Sequence, residues 1–285
     1  MNYRHAFHAG NFADVVKHAV LALLIERLQA KDTAFRIIDT HAGIGLYDLS
    51  GDEATRTSEW QSGIGRLWGA KRPPALDAVL KPYLAAVAAA NSAPEPAPLV
   101  RYPGSPWIAR HLFRKQDRLT AVELHPEDAR ALEVLFAGDV QVRTIALDGW
   151  LALGAFVPPK ERRGIVLVDP PFEAPDEFST MLAAFTEAYR KWPTGVYALW
   201  YPVKDLAAVD HLRLGLAKSG IRRLLRAELT IRDRDAEDTF NGTGLVICNP
   251  PWQFRKTLQT LLAGLVPLLA QGPGAACLID EIAGE

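Results

Sequence analysis

Apolar and polar residues follow two rhythms along this chain. "FADVVKHAVLALLIERLQ" (residues 12–29) has its apolar positions at helical spacing and predicts a helix. "FRIIDTHAGIG" (35–45) is a short β-branched run ending in an acid and glycines, a strand and its loop. The texture then changes. "TSEWQSGIGRLW" (57–68) and "PALDAVLKPYLAAVAAAN" (74–91) predict helices with no strand between them, and they lead into the proline-rich connector "SAPEPAP" (92–98). Beyond "YPGSPWIARHLFR" (102–114), a turn and helix, strands and helices alternate. The strands are "LTAVELHP", "VQVRTIALDGW", "RGIVLVDPPF", "TGVYALWYPV", "IRRLLRAELTI" and "TGLVICNPPW", which with the first makes seven. Such alternation predicts a mostly parallel sheet covered on both faces. The expected organisation is therefore α/β: residues 1–50 an N-terminal helix and the start of the main domain, 51–98 a helical insertion, 99–285 the remainder.

Composition narrows this little. The 285 residues are 49% hydrophobic and 23% charged, ordinary for a globular protein with a substantial core. Two cysteines, Cys248 and Cys277, are too few for a disulfide framework and suit a reducing, cytoplasmic setting. The polar opening "MNYRHAFHAGNFAD" does not read as a signal peptide, and the late run "LLAGLVPLLA" is too short for a bilayer. A formal charge of −1 gives the whole molecule no attraction for nucleic acid, but "KERR" (160–163) and "RKQDR" (114–118) are local basic clusters. Solvated surface charge is the plain alternative for both.

The strand ends carry the chemistry. In an open α/β sheet, ligands bind outside the carboxyl ends of the strands. The first strand delivers Asp39, His41, Gly43 and Gly45, the second Glu123, the third Asp148 and the fourth "DPPF", Asp169 to Phe172. Alone, each acid could be a helix cap. Together they describe a pocket for an adenine nucleoside: Glu123 accepting ribose hydroxyls, Asp148 the adenine amino group, and a reactive group pointing at Asp169. A nicotinamide dinucleotide would want G-x-G-x-x-G, and "HAGIGLYD" lacks the third glycine. S-adenosylmethionine has no phosphates to cradle, so a methyl donor is favoured.

"DPPF" also suggests the acceptor. An exocyclic amine on a heteroaromatic ring is a poor nucleophile because its lone pair is delocalised. The Asp169 carboxylate and the Pro170 carbonyl can accept its two N–H groups and localise that pair. The prolines stiffen the loop, and Phe172 offers a flat face for the base. "NPPW" (249–252) repeats the pattern at the end of the seventh strand. A methyltransferase sheet places that strand antiparallel between the fifth and sixth, which would carry Asn249 to the opposite edge. It is expected to be a structural turn, with Trp252 packing the following helix.

These segments resemble the bacterial 23S ribosomal RNA adenine-N6 methyltransferases. The resemblance spans nearly the whole chain and rests on "YRHAFHAGNFADVVKH", "DTHAGIG", "YPGSP", "ELHP", "DGW", "DPPFE", "YALWYPV" and "NPPW". It implies a Rossmann-like class I methyltransferase with a seven-stranded, mostly parallel sheet and a small helical insertion. It implies that His18, His41, Ser105, Glu123, Asp148, Gly149 and Asp169 line an S-adenosylmethionine pocket, that Asp169 is catalytic, and that Tyr3 meets the RNA. The family commonly has tyrosine where this chain has Phe172, which keeps stacking and removes a hydroxyl.

Four of the seven histidines, His5, His8, His18 and His41, fall early, at no spacing typical of zinc ligands. An N-terminal lid over the cofactor is the expectation instead, with no metal. Trp60, Trp68, Lys71 and Arg72 could face RNA, with core packing favoured for the tryptophans. The expected protein is a cytoplasmic monomer acting on 23S ribosomal RNA, with no membrane partner. DNA adenine methylation, glutamine methylation of a protein, and a non-enzymatic nucleic-acid-binding role are the rival readings.

Overall fold

The structure, a computed structural model, describes residues 4–236 and 240–284. Tyr3 lies outside these. The core element is helix α1 (Phe12–Gln29), capped by Asn11, whose side chain accepts from the Ala13 and Asp14 amides at 2.9 and 3.0 Å. Fifteen of its eighteen residues are buried. A helix apolar nearly all round belongs inside a protein, and α1 packs against the sheet on one side and further helices on the other.

The sheet contains β1 (Arg36–Asp39), β2 (Arg118–Glu123), β3 (Val142–Ala146), β4 (Gly164–Val168), β5 (Val196–Val203), β6 (Leu224–Thr230), β7 (Gly242–Cys248) and β8 (Ala276–Ala283). Their order is β3-β2-β1-β4-β5-β7-β6-β8. The first five run parallel, and β4, buried along its whole length, has the continuous apolar run of a strand covered on both faces. Register levels the strand ends: Asp39 pairs with Ala121 of β2 and Leu167 of β4, so Asp39, Glu123 and Asp169 emerge side by side.

The α/β class and the mostly parallel sheet agree with the sequence expectation, but among the described residues the sheet has eight strands, not seven. β8 was missed because it is an edge strand. Only one side can pair, its residues are half-exposed, and Asp280 and Glu281 interrupt the apolar pattern. Arg226 of β6 reaches Asp280 at 2.7 Å across the pair. A second element was also unforeseen. Leu46–Asp48 pairs antiparallel with Arg101–Pro103, a two-stranded ribbon that closes the chain on either side of the inserted helices. Within that insertion, α2 (Pro74–Ala90) packs on α1, and Leu76, Leu80 and Tyr83 join the main core. Trp60 and Trp68 pack against this core, and Trp68 Nε1 donates to the Ala97 carbonyl at 2.7 Å. Arg72 is held by Asp77 and Glu95.

The two proline motifs lie on opposite edges of the sheet. β7 is antiparallel to β5, with Cys248 beside Tyr197, so Asn249 arrives where β5 begins. "DPPF" follows β4 at the other edge. The loops also differ: Phe172 is the left-handed residue of the first (φ 52°), Asn249 and Gln253 those of the second (φ 54° and 60°). Asn249 is a structural turn residue, its amide donating to the Pro193 and Gly195 carbonyls at 2.9 and 2.8 Å. Trp252 corrects the expectation. It is 85% exposed, and the buried Phe254 packs in its stead, because the turn at Gln253 starts the next helix one step later.

Replacing Asn249 with alanine removes both bonds and leaves two carbonyls to find water. The expected loss is about 1–3 kcal/mol of stability, read as a lower denaturant midpoint with an unchanged slope. No change in the midpoint would show that this turn holds nothing.

Candidate active site

A cleft of about 600 Å³, open solvent at its mouth included, lies over the carboxyl ends of β1, β2 and β4. It is lined by His18, His41, Gly43, Ser105, Glu123 and Asp169, among others. Five of the seven expected cofactor residues, His18, His41, Ser105, Glu123 and Asp169, are on its walls. Asp148 and Gly149 are not on the cleft surface. Asp148 caps α3 (Gly149–Ala155), accepting from the Trp150 and Leu151 amides at 2.7 and 3.3 Å. Gly149 lets the backbone pass under His41: a Cβ there would stand 2.3 Å from the Thr40 carbonyl oxygen and 2.7 Å from the His41 ring.

Each strand end holds its acid in a distinct state. Glu123 accepts the Gly43 and His125 amides, one on each oxygen, both at 2.8 Å. Burial raises its pKa, and each oxygen keeps a lone pair for a further donor. Asp39 is 1% exposed, and its Oδ1 is without a partner among the described residues. Burial, against the Ser105 hydrogen bond, pushes it up to about 7. His18 and His41 are driven the other way by burial, to about 3 and about 4, so both rings are neutral at physiological pH. His18 Nδ1 lies 2.8 Å from the Tyr102 hydroxyl.

Asp169 does not stand alone. Lys17 of α1, 3% exposed, pairs with it and, at 2.8 Å, with Asp14. Burial pulls the Lys17 pKa down, but the two carboxylates reverse this and leave it raised. Burial would raise Asp14, yet His5 and Lys17 beside it hold it well below the usual range. Asp14 also accepts from the Gly10 amide and meets His5 Nε2, both at 2.9 Å. The N-terminal turn His5–Phe7 is thereby fixed over the cleft, and Arg4 pairs with Glu127 and Asp128. Lys17, Asp14 and His5 were not among the expected site residues. Their only sequence signal was an acid and a lysine one helical turn apart inside an otherwise apolar helix.

A second cavity, about 770 Å³ with its open side, shares His5, Lys17, Asp169 and Pro171 with the first. Its walls are aromatic: Phe172, Trp200 and Phe240. Phe172 lies 4.7 Å from Phe178 and 5.6 Å from Trp200 between ring centroids, and Lys17 Nζ is 5.6 Å from the centre of the Trp200 ring. The loop from Asp169 to Phe172 is thus the partition between a polar cleft and an aromatic one.

Residues 32–278 match the family described as ribosomal RNA large subunit methyltransferase D, RlmJ. The chain belongs to this family. It is 40% identical over 271 residues to the ribosomal RNA large subunit methyltransferase J of Haemophilus influenzae, covering 95% of this chain and 93% of that one. The counterpart from Escherichia coli is 39% identical over 277 residues, 97% of each chain. Among solved structures, protein LPL1258 from Legionella pneumophila superposes with a TM-score of 0.86 at 33% identity, over 96% of this chain and 98% of that one. Membership in this methyltransferase family accords with the strand order, in which a reversed β7 sits between β5 and β6.

The cleft fits S-adenosylmethionine on its own features. Asp39 presents an orphaned acceptor, Glu123 has spare acceptor capacity, the flanking imidazoles are uncharged, and Lys17 on the cleft wall is paired with Asp14 and Asp169, all of which suits a cationic ligand. Asp39 also gives a pH signature. Its folded pKa, about 7, exceeds the ordinary carboxylate value of 3.8. The native state therefore holds a proton that the unfolded state has lost, and the stability this gives disappears as pH rises through that window. In the ligand-free protein, Asp39→Asn should gain stability relative to wild type steadily from about pH 4 to about pH 7 and level off above. Parallel stability curves for the two proteins would mean that Asp39 is not buried as a proton-sharing acid.

Proposed function

We propose that the chain transfers a methyl group from S-adenosylmethionine to N6 of an adenine in 23S ribosomal RNA. One observation carries the reading: Asp169, Pro170 and Phe172 form the wall between a polar cleft that suits the donor and an aromatic cavity that suits a flipped base. Glu123 would accept the ribose hydroxyls, Asp39 and Ser105 would meet the methionine portion, and Asp148 with Gly149 would border the adenine. When bound, S-adenosylmethionine supplies an electrophilic methyl on its sulfonium.

The remaining work falls to this chain. Phe172, Trp200 and Phe240 give the target base flat faces, each stack contributing roughly 1–3 kcal/mol. That offsets the few kcal/mol needed to take the base out of its stack. The Asp169 carboxylate and the Pro170 carbonyl accept the two amino hydrogens and turn the lone pair toward the donor cleft. Lys17, held charged by Asp14 and Asp169, fixes the carboxylate in that position. Positioning of this kind can supply much of the barrier reduction for an in-line displacement. Phe172 in place of tyrosine retains the ring and forgoes the hydroxyl. "NPPW", at the far edge and committed to backbone carbonyls, offers no second acceptor site.

The isosteric Asp169→Asn is the sharper variant, since alanine would strip Lys17 of a partner inside the protein. It should lower methyl transfer to ribosomal RNA by about a hundredfold or more while the protein stays folded, with a lower unfolding temperature because Lys17 loses one of its two carboxylate charges but keeps an oxygen acceptor. Phe172→Ala should cut transfer and spare S-adenosylmethionine binding, and Phe172→Tyr should be nearly silent. An active Asp169→Asn, or a Phe172→Ala that loses cofactor and transfer alike, would refute these roles.

A further inference from the structure

The cavities that take cofactor and base offer little to hold a polyanion. Among the described residues, the lysine and arginine side chains lining them are Lys17, buried in its ion pairs, and Lys204, which is exposed. At the mouth, Arg4 is neutralised by Glu127 and Asp128, and His8 lies 3.0 Å from Glu59. The chain as a whole carries −1. Proteins that bind nucleic acid draw much of their affinity from cations set against phosphates. Those cations must lie elsewhere.

They lie at the opposite edge. The basic clusters 114–118 and 160–163, far apart in the chain, meet where β1 to β4 begin. Arg114 and Arg163 both reach the Thr33 carbonyl and both flank the Phe35 ring, at 5.6 and 6.0 Å. Beside them is an open groove lined by Arg36, Arg118, Arg143 and Lys160. The local acids are mostly committed. Glu161 binds Arg36 at 2.9 Å, Asp117 is buried against Arg114, and Asp32 is the exposed acid nearby. Lys115, Arg143, Lys160 and Arg162 have no ion pair among the described residues. Because β7 is reversed, its end joins this same edge and adds the exposed Trp252 beside Arg223, whose guanidinium donates to the Pro250 carbonyl at 3.2 Å. Eight strands at about 4.8 Å spacing make the edge roughly 34 Å long.

We propose that this edge is a second RNA-binding surface, which grips the phosphate backbone of the substrate away from the target adenine. Arg143 and Lys160 contact phosphates in the groove, and Trp252 stacks on an unpaired base at the other end. A basic groove for the backbone together with an exposed aromatic ring for a base is the pattern of single-strand binding. This gives the second proline motif its role: its turn presents the tryptophan. The proposal rests on the RNA substrate proposed above.

The test is salt-dependent binding of a full-length large-subunit RNA transcript by the double variant Arg143→Glu, Lys160→Glu and, separately, by Trp252→Ala. The double variant should bind about tenfold or more weaker, with a log–log salt slope shallower by about 2, one unit for each phosphate contact removed. S-adenosylmethionine affinity should be unchanged, as should methylation of a short stem-loop carrying the target adenine, while KM for the long transcript rises at constant kcat. Trp252→Ala should weaken binding without altering the slope. Wild-type affinity and slope in both proteins would overturn the proposal, as would loss of binding to phosphatidylglycerol vesicles with RNA binding intact. If the wild type binds the transcript in this way yet methylates no RNA, the substrate reading fails and the edge assignment stands.

Discussion

A buried lysine organises this site. Lys17 sits on a helix that runs through the core, where an unpaired ammonium would be prohibitive, and two carboxylates make it tolerable. One of them, Asp14, lies a turn away on the same helix; the other, Asp169, ends β4. The pairing ties the N-terminal helix to the loop between the two cavities. Breaking one side of such a pair commonly costs about 3–5 kcal/mol, so the loop is held in place by an interaction the fold cannot easily surrender. His5 and the Gly10 amide share Asp14, and the N-terminal turn is drawn over the cleft by the same network.

From this constraint the division of the site follows. Parallel strands with level ends bring Asp39, Glu123 and Asp169 into one row. Burial then gives each acid a different character: Asp39 near neutrality, Glu123 raised but bonded by two amides, Asp169 paired with a cation. The histidines between them are kept uncharged. A cleft so arranged suits a positively charged donor on one side, while the aromatic cavity beyond Asp169 suits a planar acceptor.

Much of this was legible in the residues. Acids at strand ends are local features, and β-branched runs ending in "DTHAG", "ELHP" or "DPPF" state both the strand and its end. Lys17 was harder to read because its partner Asp169 is 152 positions away; a helix pattern tells that a residue is inside, not which loop it meets. The aromatic walls Trp200 and Phe240 were invisible for the same reason. β8 escaped notice because an edge strand need not alternate cleanly. Trp252 was misjudged because hydrophobicity predicts burial, and a single left-handed residue at Gln253 decided which of Trp252 and Phe254 turned inward. Asp148 was assigned to the ligand, but its first observable task is to cap a helix.

The central claim is that the loop between the cavities presents an exocyclic amine to the methyl donor. The most direct measurement is nucleoside mass spectrometry of large-subunit ribosomal RNA from a strain lacking this protein, after incubation with the purified chain and isotopically labelled S-adenosylmethionine. The expected result is one labelled product, N6-methyladenosine, at about one per RNA molecule. Label on a ribose oxygen, on a ring carbon, or on protein alone would contradict the assignment of Asp169 and Pro170 as acceptors for an amine.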